Sequence, residues 1–175
     1  IDPQTVEYNQ TATKPADPTK ENAIFDGWFA AEEEEAFDFN TPITADITLT
    51  AHWTEAVAKI GDTLYATLEE AVAAAVDGDT VKLLKDCAGN GIKAPQGKFN
   101  TNGLTIDFGG FTYTMDGAMV GSTGTETQAF QLLKDNKITF KNGTIYSEKA
   151  LMLVQNYSDL TLDGMTLTLN NANYT

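Results

Sequence analysis

Three charged residues, Asp107, Lys141 and Asp163, occupy equivalent places in a short motif that occurs three times. Each ends a run in which apolar and polar residues alternate: Leu104–Asp107, Ile138–Lys141 and Leu160–Asp163. Two carboxylates with an amine between them are groups suited to acid–base chemistry or calcium binding. The simpler interpretation is a ladder of alternating charge on a solvated sheet, which avoids like charges on neighbouring strands. We predict no catalytic, cofactor-binding or metal-binding residue among them.

The chain has one cysteine, Cys87, and one histidine, His52. A single cysteine forms no disulfide within the chain. We interpret Cys87 as a buried or half-buried thiol and not as a nucleophile, since the only histidine belongs to another segment. We interpret His52 as a strand-end residue, because there is no second histidine to share a metal ion.

Two acidic motifs have plain structural interpretations. The segment 77–79 (Asp-Gly-Asp) offers two carboxylates, too few for a calcium site that needs six or more oxygens. Hydrogen bonding at the turn and at the helix end explains this motif better than calcium binding does. Glu32 to Glu35 form a run of four like charges, which we interpret as a solvated loop and not as a metal site.

Trp28 and Trp53 are the only tryptophans. Exposed aromatic rings stack on sugars in glycan-binding modules, which makes both residues candidates for such a site. The alternative is that they form the small core of a segment with few other large apolar side chains, and we prefer it.

The composition excludes several classes of function. The chain has 175 residues, a formal net charge of -14, and 11 basic residues that are all lysine. An acidic chain without arginine is a poor candidate for binding nucleic acid or an anionic membrane. No apolar run approaches the ~20 residues of a membrane span, so we expect no membrane insertion. The first residue is Ile1 and not methionine, from which we expect a mature or trimmed fragment.

A shift in composition predicts a domain boundary near Glu55. Residues 1–55 contain Lys14 and Lys20 against twelve acidic residues, and so carry most of the negative charge. Alternation predicts strands over 5–8, 24–29, 37–39 and 47–53. The prolines of segment 14–18 exclude helix and central strand there.

Residues 1–55 resemble the Listeria–Bacteroides repeat, the internalin B-repeat type of module found in tandem on bacterial surface proteins. The resemblance is carried, in this order and spacing, by 14–20 (KPADPTK), 25–29 (FDGWF), 37–49 (FDFNTPITADITL) and 51–53 (AHW). It implies a small β-grasp-like domain in an extracellular setting, and the family has no established catalytic residues. The family usually carries another strand before the one at Val6, so we expect an incomplete module.

Residues 56–86 contain the strongest helix signal. Thr67 and Glu70 have the spacing of a capping box, and Leu68, Ala71, Val72, Ala75 and Val76 form one apolar stripe. Gly78 suits the position past the helix end. With strands over 64–65 and 80–84, this segment resembles the one that opens right-handed β-helix regions in bacterial surface proteins, where the helix covers the first coil.

An internal repeat extends over residues 129–170. Segment 129–135 is similar to 150–156, 21 positions on, and segment 138–140 is similar to 160–162, 22 positions on. Such a period predicts stacked coils with turns at 109–110, 142–143 and 163–164, and loops over 89–102 and 121–125. A further strand is predicted over 111–115. Inward rows follow from alternation: Leu104, Ile138 and Leu160; Ile106, Phe140 and Leu162; and Phe130 and Leu132 stacked on Leu151 and Leu153.

The sequence thus predicts a mainly β chain: a β-grasp-like module at 1–55 and a helix-capped right-handed parallel β-helix of three or four coils at 56–175. We expect the stack to continue beyond Thr175. The expected function is a non-enzymatic structural or adhesive segment of a large bacterial cell-surface or cell-wall protein, with a host or environmental glycan or protein as partner. Because pectate lyases share the β-helix fold, the alternatives are a truncated polysaccharide-active lyase or hydrolase, or a glycan-binding module that uses Trp28 or Trp53.

Overall fold

The computed structural model describes residues 2–171 and is mainly β, with one short helix in this range. Its contacts divide the chain between Glu55 and Ala56 into two compact units. We call the described residues before this boundary unit 1 and those after it unit 2. In the part of the chain described, no helix has the length and apolar character needed to cross a membrane.

Unit 1 contains two antiparallel pairs of strands. The pairs are β1 (Gln10–Thr11) with β3 (Pro42–Ile43), and β2 (Ala23–Ala30) with β4 (Leu49–Glu55). The aromatic-rich strand predicted at 24–29 is confirmed as β2. The strand predicted at 47–53 begins two residues later, and segment 14–18 lies outside regular structure, as its prolines required.

Two predicted strands of unit 1 are wrong. At 5–8 the chain enters a turn in which the Gln10 N–H donates to the Glu7 carbonyl at 3.0 Å, and Asn9 has a positive φ of 65°. At 37–39 the side chain of Asp38 accepts the backbone N–H of Asn40 at 2.9 Å and so closes a turn. Asp and Asn side chains compete with strand pairing in this way, and alternation alone does not reveal it.

Unit 2 opens with a hairpin and the helix. The strands are β5 (Ala58–Ile60) and β6 (Thr63–Tyr65), and α1 spans Leu68–Ala74. The capping box is confirmed: Thr67 Oγ1 accepts the Glu70 N–H at 3.1 Å, and Glu70 Oε2 accepts the Thr67 N–H at 3.2 Å.

The helix ends earlier than the apolar stripe predicted. Ala75 already has an extended ψ of 145°, and Val76 is 61% exposed. Gly78, with φ of 100°, therefore lies in the following turn and not directly past the helix end. The last carbonyls of the helix are instead reached by a lysine, since Lys98 Nζ donates to the carbonyls of Val72 and Ala73 at 3.3 and 2.7 Å.

Removing the helix cap should measurably weaken unit 2. We expect Thr67→Ala to lower the free energy of unfolding by about 1 kcal/mol, because the N–H of Glu70 loses its acceptor. Thr67→Ser keeps the hydroxyl and should stay within about 0.5 kcal/mol of the parent chain. Urea unfolding followed by far-UV circular dichroism measures both. Equal loss in the two variants would show that the methyl group, and not the cap, stabilises this site.

All but one of the remaining strands form three parallel ladders. Ladder A contains β7 (Thr80–Leu83), β10 (Leu104–Asp107) and the first halves of β14 (Lys137–Ser147) and β16 (Asp159–Leu169). Ladder B contains β8 (Cys87–Gly89), β11 (Thr112–Met115) and the second halves of β14 and β16. Ladder C contains β9 (Ile92–Ala94), β13 (Thr125–Leu132) and β15 (Met152–Asn156). The chain passes through A, B and C in that order and then returns to A.

The register of ladder A is the one that the sequence predicts. Its pairs place Leu104, Ile138 and Leu160 in one row, and Ile106, Phe140 and Leu162 in another. The charged row of Asp107, Lys141 and Asp163 is also confirmed, and Lys82 precedes Asp107 in it. Leu162 is a correction, because it is 46% exposed although its row points inward. Within the described residues its strand pairs along one edge only, with β14.

The register predicted for ladder C is wrong. Phe130 pairs with Val154 and Leu132 with Asn156, not with Leu151 and Leu153. The strands are offset by 24 positions, as the hydrogen bond between Gln131 Nε2 and Gln155 Oε1 at 2.7 Å also shows. The cause is a difference in turn length. Residues 133–136 connect β13 to β14, whereas the shorter segment 157–158 connects β15 to β16. Similar sequences therefore do not mark paired residues here.

Both predicted loops of unit 2 contain strands. Loop 89–102 includes β9, and loop 121–125 overlaps the hairpin of β12 (Val120–Ser122) with β13. β9 and β12 have three residues each; β9 pairs with the distant β13, and β12 pairs with β13 across a tight turn. Strand pairing thus overrides the local preference for loop that Gly, Asn and Pro express.

The core of unit 2 is formed by apolar residues of the three ladders, of the helix and of the loops between them. Its largest fully buried side chains include Phe99, Phe108, Tyr113, Phe130 and Phe140. The helix adds Leu68, Ala71 and Val72 to the same cluster. The chain therefore places polar rows outside and aromatic side chains inside, which fixes where any surface chemistry of unit 2 can lie.

Candidate functional site

The charged row on ladder A is the first candidate site. Asp107 forms an ion pair with Lys141 at 3.6 Å between Oδ2 and Nζ. Its Oδ1 accepts the Gly109 N–H at 3.0 Å and the Asn142 side-chain amide at 3.3 Å. Asp163 stands opposite Lys141 in the register and is exposed. The acceptor sites of Asp107 are thus occupied by turn and ladder partners, as a structural charge ladder requires.

The pKa of Asp107 reflects this environment. Partial burial acts to raise it, but the hydrogen bonds from Gly109 and Asn142 and the charge of Lys141 outweigh burial. The net result is a pKa lowered from the ordinary value of 3.8. A lowered pKa means that the ionised form is the one the fold stabilises.

This shift predicts a pH effect. The contribution of Asp107 is present above its unfolded pKa and is lost as the pH falls through the lower folded pKa. At neutral pH we expect Asp107→Asn to lower the free energy of unfolding by about 0.5–1 kcal/mol, the range for a partly exposed ion pair. The difference between variant and parent should shrink at an acidic pH below the ordinary pKa of 3.8, and in about 1 M salt.

Asp163→Asn is the matched control for that prediction, because it removes an exposed carboxylate beside the same lysine. It should change stability by less than about 0.5 kcal/mol. Urea titrations at both pH values measure the two variants. A difference between Asp107→Asn and the parent chain that does not depend on pH would contradict the assigned cause.

The carboxylates of the Asp-Gly-Asp motif accept hydrogen bonds from backbone N–H groups. Asp77 accepts three backbone N–H groups, from Thr101, Asn102 and Gly103, at 3.0, 2.8 and 3.0 Å. These bonds, above all the one from Asn102, lower the pKa of Asp77. Asp79 accepts the Val76 N–H at 2.8 Å. The preferred interpretation as turn chemistry is therefore confirmed.

The other candidate residues lie apart from one another in the chain and in their environments. Glu32 to Glu35 are exposed in the loop after β2, which confirms their interpretation as a solvated loop. His52 lies in the middle of β4 and not at a strand end as predicted. It is exposed and stacks on Phe29, with ring centroids 4.1 Å apart. Cys87 is a half-buried free thiol. Burial, followed by the charges of Glu69 and Asp86, raises the pKa of this thiol to about 11, so that it is protonated at neutral pH. Over residues 2–171, no three His, Cys, Asp or Glu side chains are grouped to hold a metal ion.

Both tryptophans pack on Phe25 in unit 1. The ring of Phe25 meets Trp28 and Trp53 edge-on, with centroids 5.5 and 5.3 Å apart. Phe25 and Trp28 are an odd number of positions apart, which places them on opposite faces of a regular strand. An irregularity in pairing between Phe25 and Gly27 brings them together, and Gly27 has φ of 140° there. Both indoles are half-buried.

Trp28 differs from Trp53 because it also lines a cavity. The cavity has a volume of about 480 Å³ and lies within unit 1. Its wall is mostly apolar and includes Val6, Phe39, Ile43, Ile47 and Leu49. Trp28 Nε1 is buried and has no hydrogen-bond partner among the described residues. Sequence reasoning named Trp28 as a candidate but gave no signal for this cavity, whose walls come from separate segments.

Sequence reasoning also missed the buried polar side chains that join separate segments of unit 2. Asn136 bonds three backbone groups, and Ser147 Oγ donates to the Met115 carbonyl and accepts the N–H groups of Lys149 and Ala150. The Tyr113 hydroxyl donates to the Asn90 carbonyl. Their only sequence signal is a polar residue at a turn beside an apolar run.

Comparison with known proteins adds information on unit 1. No curated protein matches the chain, and no solved structure matches it. The resemblance that the sequence of residues 1–55 carries is confirmed by a family model, whereas the resemblance of residues 56–175 stays a prediction. Residues 1–52 match the Listeria-Bacteroides repeat domain.

Proposed function

We propose that this chain is a structural or adhesive segment of a bacterial cell-surface protein and works outside the cell. The observation that carries the proposal is the match of residues 1–52 to the Listeria-Bacteroides repeat domain, a repeat found in surface proteins. The acidic charge of the chain agrees with an extracellular module that avoids anionic membranes and nucleic acids.

Unit 2, in this proposal, is the start of a right-handed parallel β-helix. Three observations support it: three parallel ladders, their regular succession along the chain, and a core enclosed between them. The helix α1 would cover the first coil, since Leu68, Ala71 and Val72 join that core. Each further coil lengthens such a stack by about 4.8 Å, so many coils would give an extended stalk or display surface.

We further propose that the segment is not an enzyme. The cluster that most resembles a polysaccharide-lyase site is Asp107 with Lys141, and its geometry is that of an ion pair embedded in turn hydrogen bonds. A general base or calcium ligand needs a lone pair that faces substrate or metal, and here the lone pairs of Asp107 face their own ladder.

Surface labelling tests the location. In the bacterium that encodes the chain, an antibody raised against the 175-residue chain should stain intact cells, and brief protease treatment of intact cells should remove the signal. Staining that needs permeabilised cells would overturn the proposal. A cytoplasmic protein probed in parallel controls for lysis.

An activity assay tests the enzymatic alternative. The purified chain, incubated with pectin or alginate and calcium, should release no unsaturated uronates, which are detected by their ultraviolet absorbance. Release that disappears in Lys141→Ala, but not in the matched variant Lys137→Ala, would establish a lyase and overturn the non-enzymatic proposal.

A further inference from the structure

We propose that the free edge of β16 binds a parallel β-strand of another protein. Over five residues this guest strand has cationic side chains at the first and fifth positions and apolar side chains at the second and fourth. The cations lie opposite Asp159 and Asp163, and the apolar side chains lie opposite Leu160 and Leu162. This binding activity goes beyond the structural function proposed above.

The backbone of β16 offers an open strand edge. The strand is 11 residues long, and within the described residues it pairs with β14 alone. An open edge leaves alternate N–H and C=O groups without a ladder partner, and an added strand satisfies them. The strands of ladder A from β7 to β16 are all parallel, so a parallel guest strand continues the same hydrogen-bond pattern.

The apolar rows of β16 are open to solvent. Leu162 and Leu167 are 46 and 40% exposed, whereas their row neighbours on β14, Phe140 and Ile145, are fully buried. The difference arises because β14 has strands along both edges and β16 has one. A guest strand with apolar side chains in the same rows removes this surface from water, which favours binding.

The charges of ladder A identify the guest strand as cationic. The outward charged row changes sign at every step from one strand to the next: Lys82, Asp107, Lys141 and Asp163. Lys137 and Asp159 oppose each other in the same way. Opposite charges on neighbouring strands stabilise a sheet, and like charges destabilise it. The open edge carries two exposed carboxylates, so the side chains that fit opposite them are cations.

The paired edge of β16 shows a sequence that fits. There, segment 137–141 of β14 (Lys-Ile-Thr-Phe-Lys) lies opposite segment 159–163 (Asp-Leu-Thr-Leu-Asp), with both lysines opposite aspartates and both apolar residues opposite leucines. A second copy of β16 is a poor guest, because it brings two further carboxylates and no cation.

Amide hydrogen exchange of the full chain, followed by nuclear magnetic resonance, tests the proposal directly. The probe is an acetylated peptide with the sequence of β14, residues 137–147. In the free chain every second amide of β16 should exchange quickly, because it faces the open edge. Saturating peptide should slow these amides at least about 10-fold and leave those of β7 and β10 unchanged. A nitroxide at the peptide N-terminus should broaden resonances near Asp159 more than those near Leu169.

Two altered peptides and two altered proteins separate the contributions. Replacing both lysines of the peptide by glutamates should abolish binding. Exchanging each lysine with its apolar neighbour keeps the composition but turns the cations inward, and should weaken binding at least about 10-fold. Asp163→Asn should weaken binding about 2–5-fold at low salt. Asp62→Asn removes an exposed carboxylate between β5 and β6, at the other end of the sheet, and should leave binding unchanged.

Several outcomes would overturn the proposal. One is unchanged exchange of the β16 amides at millimolar peptide. Another is equal binding of the parent peptide and the exchanged peptide, which would show simple charge attraction. Broadening that is strongest near Leu169 would show an antiparallel guest strand. Protection of β16 that grows with protein concentration, without any peptide, would assign this edge to a second copy of the chain.

Discussion

Replacing Phe140 by alanine should lower the free energy of unfolding of unit 2 by about 3–5 kcal/mol. The side chain is fully buried, and its ring lies 5.1 Å from that of Phe130 and 5.9 Å from that of Phe108. Its row also includes Ile106 on the neighbouring strand. Because rigid aromatic rings from two other segments line the space, it cannot collapse to fill the hole, and the full cost of the void should appear.

Leu162→Ala is the matched control. Leu162 pairs with Phe140 in the same row, but it is 46% exposed, so its truncation should cost less than about 1 kcal/mol. Urea unfolding followed by far-UV circular dichroism measures both variants. Trp28 and Trp53 both belong to unit 1, so tryptophan fluorescence reports the unfolding of unit 1 alone. The fluorescence transition should be the same in both variants as in the parent chain. Equal losses in the two variants would contradict the burial that distinguishes them.

The contrast between these two residues shows what sequence alone predicts. Alternation assigns Phe140 and Leu162 to one inward row, and the register confirms it. Alternation, however, predicts only which side of the strand a side chain faces, and not whether other residues bury it. Burial depends on whether another strand or helix covers the row, and that depends on neighbours far away in the sequence. The sequence therefore predicts the row correctly and the exposure of Leu162 wrongly.

Ladder C shows a second reason for failure. Segments 129–135 and 150–156 are similar because both supply apolar residues to ladder C. Their similarity does not fix which residues pair, since a two-residue difference in the turns after them shifts the register. The turns predicted at 142–143 and 163–164 are wrong, because both dipeptides lie inside the continuous strands β14 and β16, where Asn142 and Gly164 have positive φ. No turn of unequal length follows the motifs on ladder A, and there similarity and register agree.

The candidate site in unit 1 was only half predictable. The aromatic residues near Gly27 are evident in the sequence, and Trp28 is a candidate site residue on that basis. The cavity depends on an irregular strand pairing and on walls from four or more separate segments, none of which carries a local signal. Long-range geometry of this kind also decides that Trp28, and not Trp53, lines the cavity.

Asn136 is the buried polar residue on which the second large prediction rests. Its Oδ1 accepts the Phe99 N–H at 2.8 Å, and its Nδ2 donates to the carbonyls of Pro95 and Leu133, both at 2.8 Å. The side chain is 2% exposed. It thus joins the loop after β9 to the turn after β13, a turn that also makes the register of ladder C differ from the repeat.

We expect Asn136→Ala to lower the free energy of unfolding of unit 2 by about 3 kcal/mol, because three backbone groups lose their partner and at least the Phe99 N–H is left buried and unpaired. Asn136→Asp should be no better at neutral pH, since it places a carboxylate oxygen against two carbonyls.

The matched control for Asn136 is Asn156→Ala, which removes an asparagine from the end of the next strand of ladder C. Asn156 is exposed and bonds only within its own turn, to Ser158 at 3.0 Å, so its loss should cost about 0.5 kcal/mol. Urea titrations of the three variants, followed by circular dichroism, compare them directly. If Asn136→Ala cost no more than Asn156→Ala, water would be replacing the lost bonds, and the turn after β13 would have to be open to solvent. The burial of the Asn136 side chain argues against that, and the stability of unit 2 should depend on its hydrogen bonds.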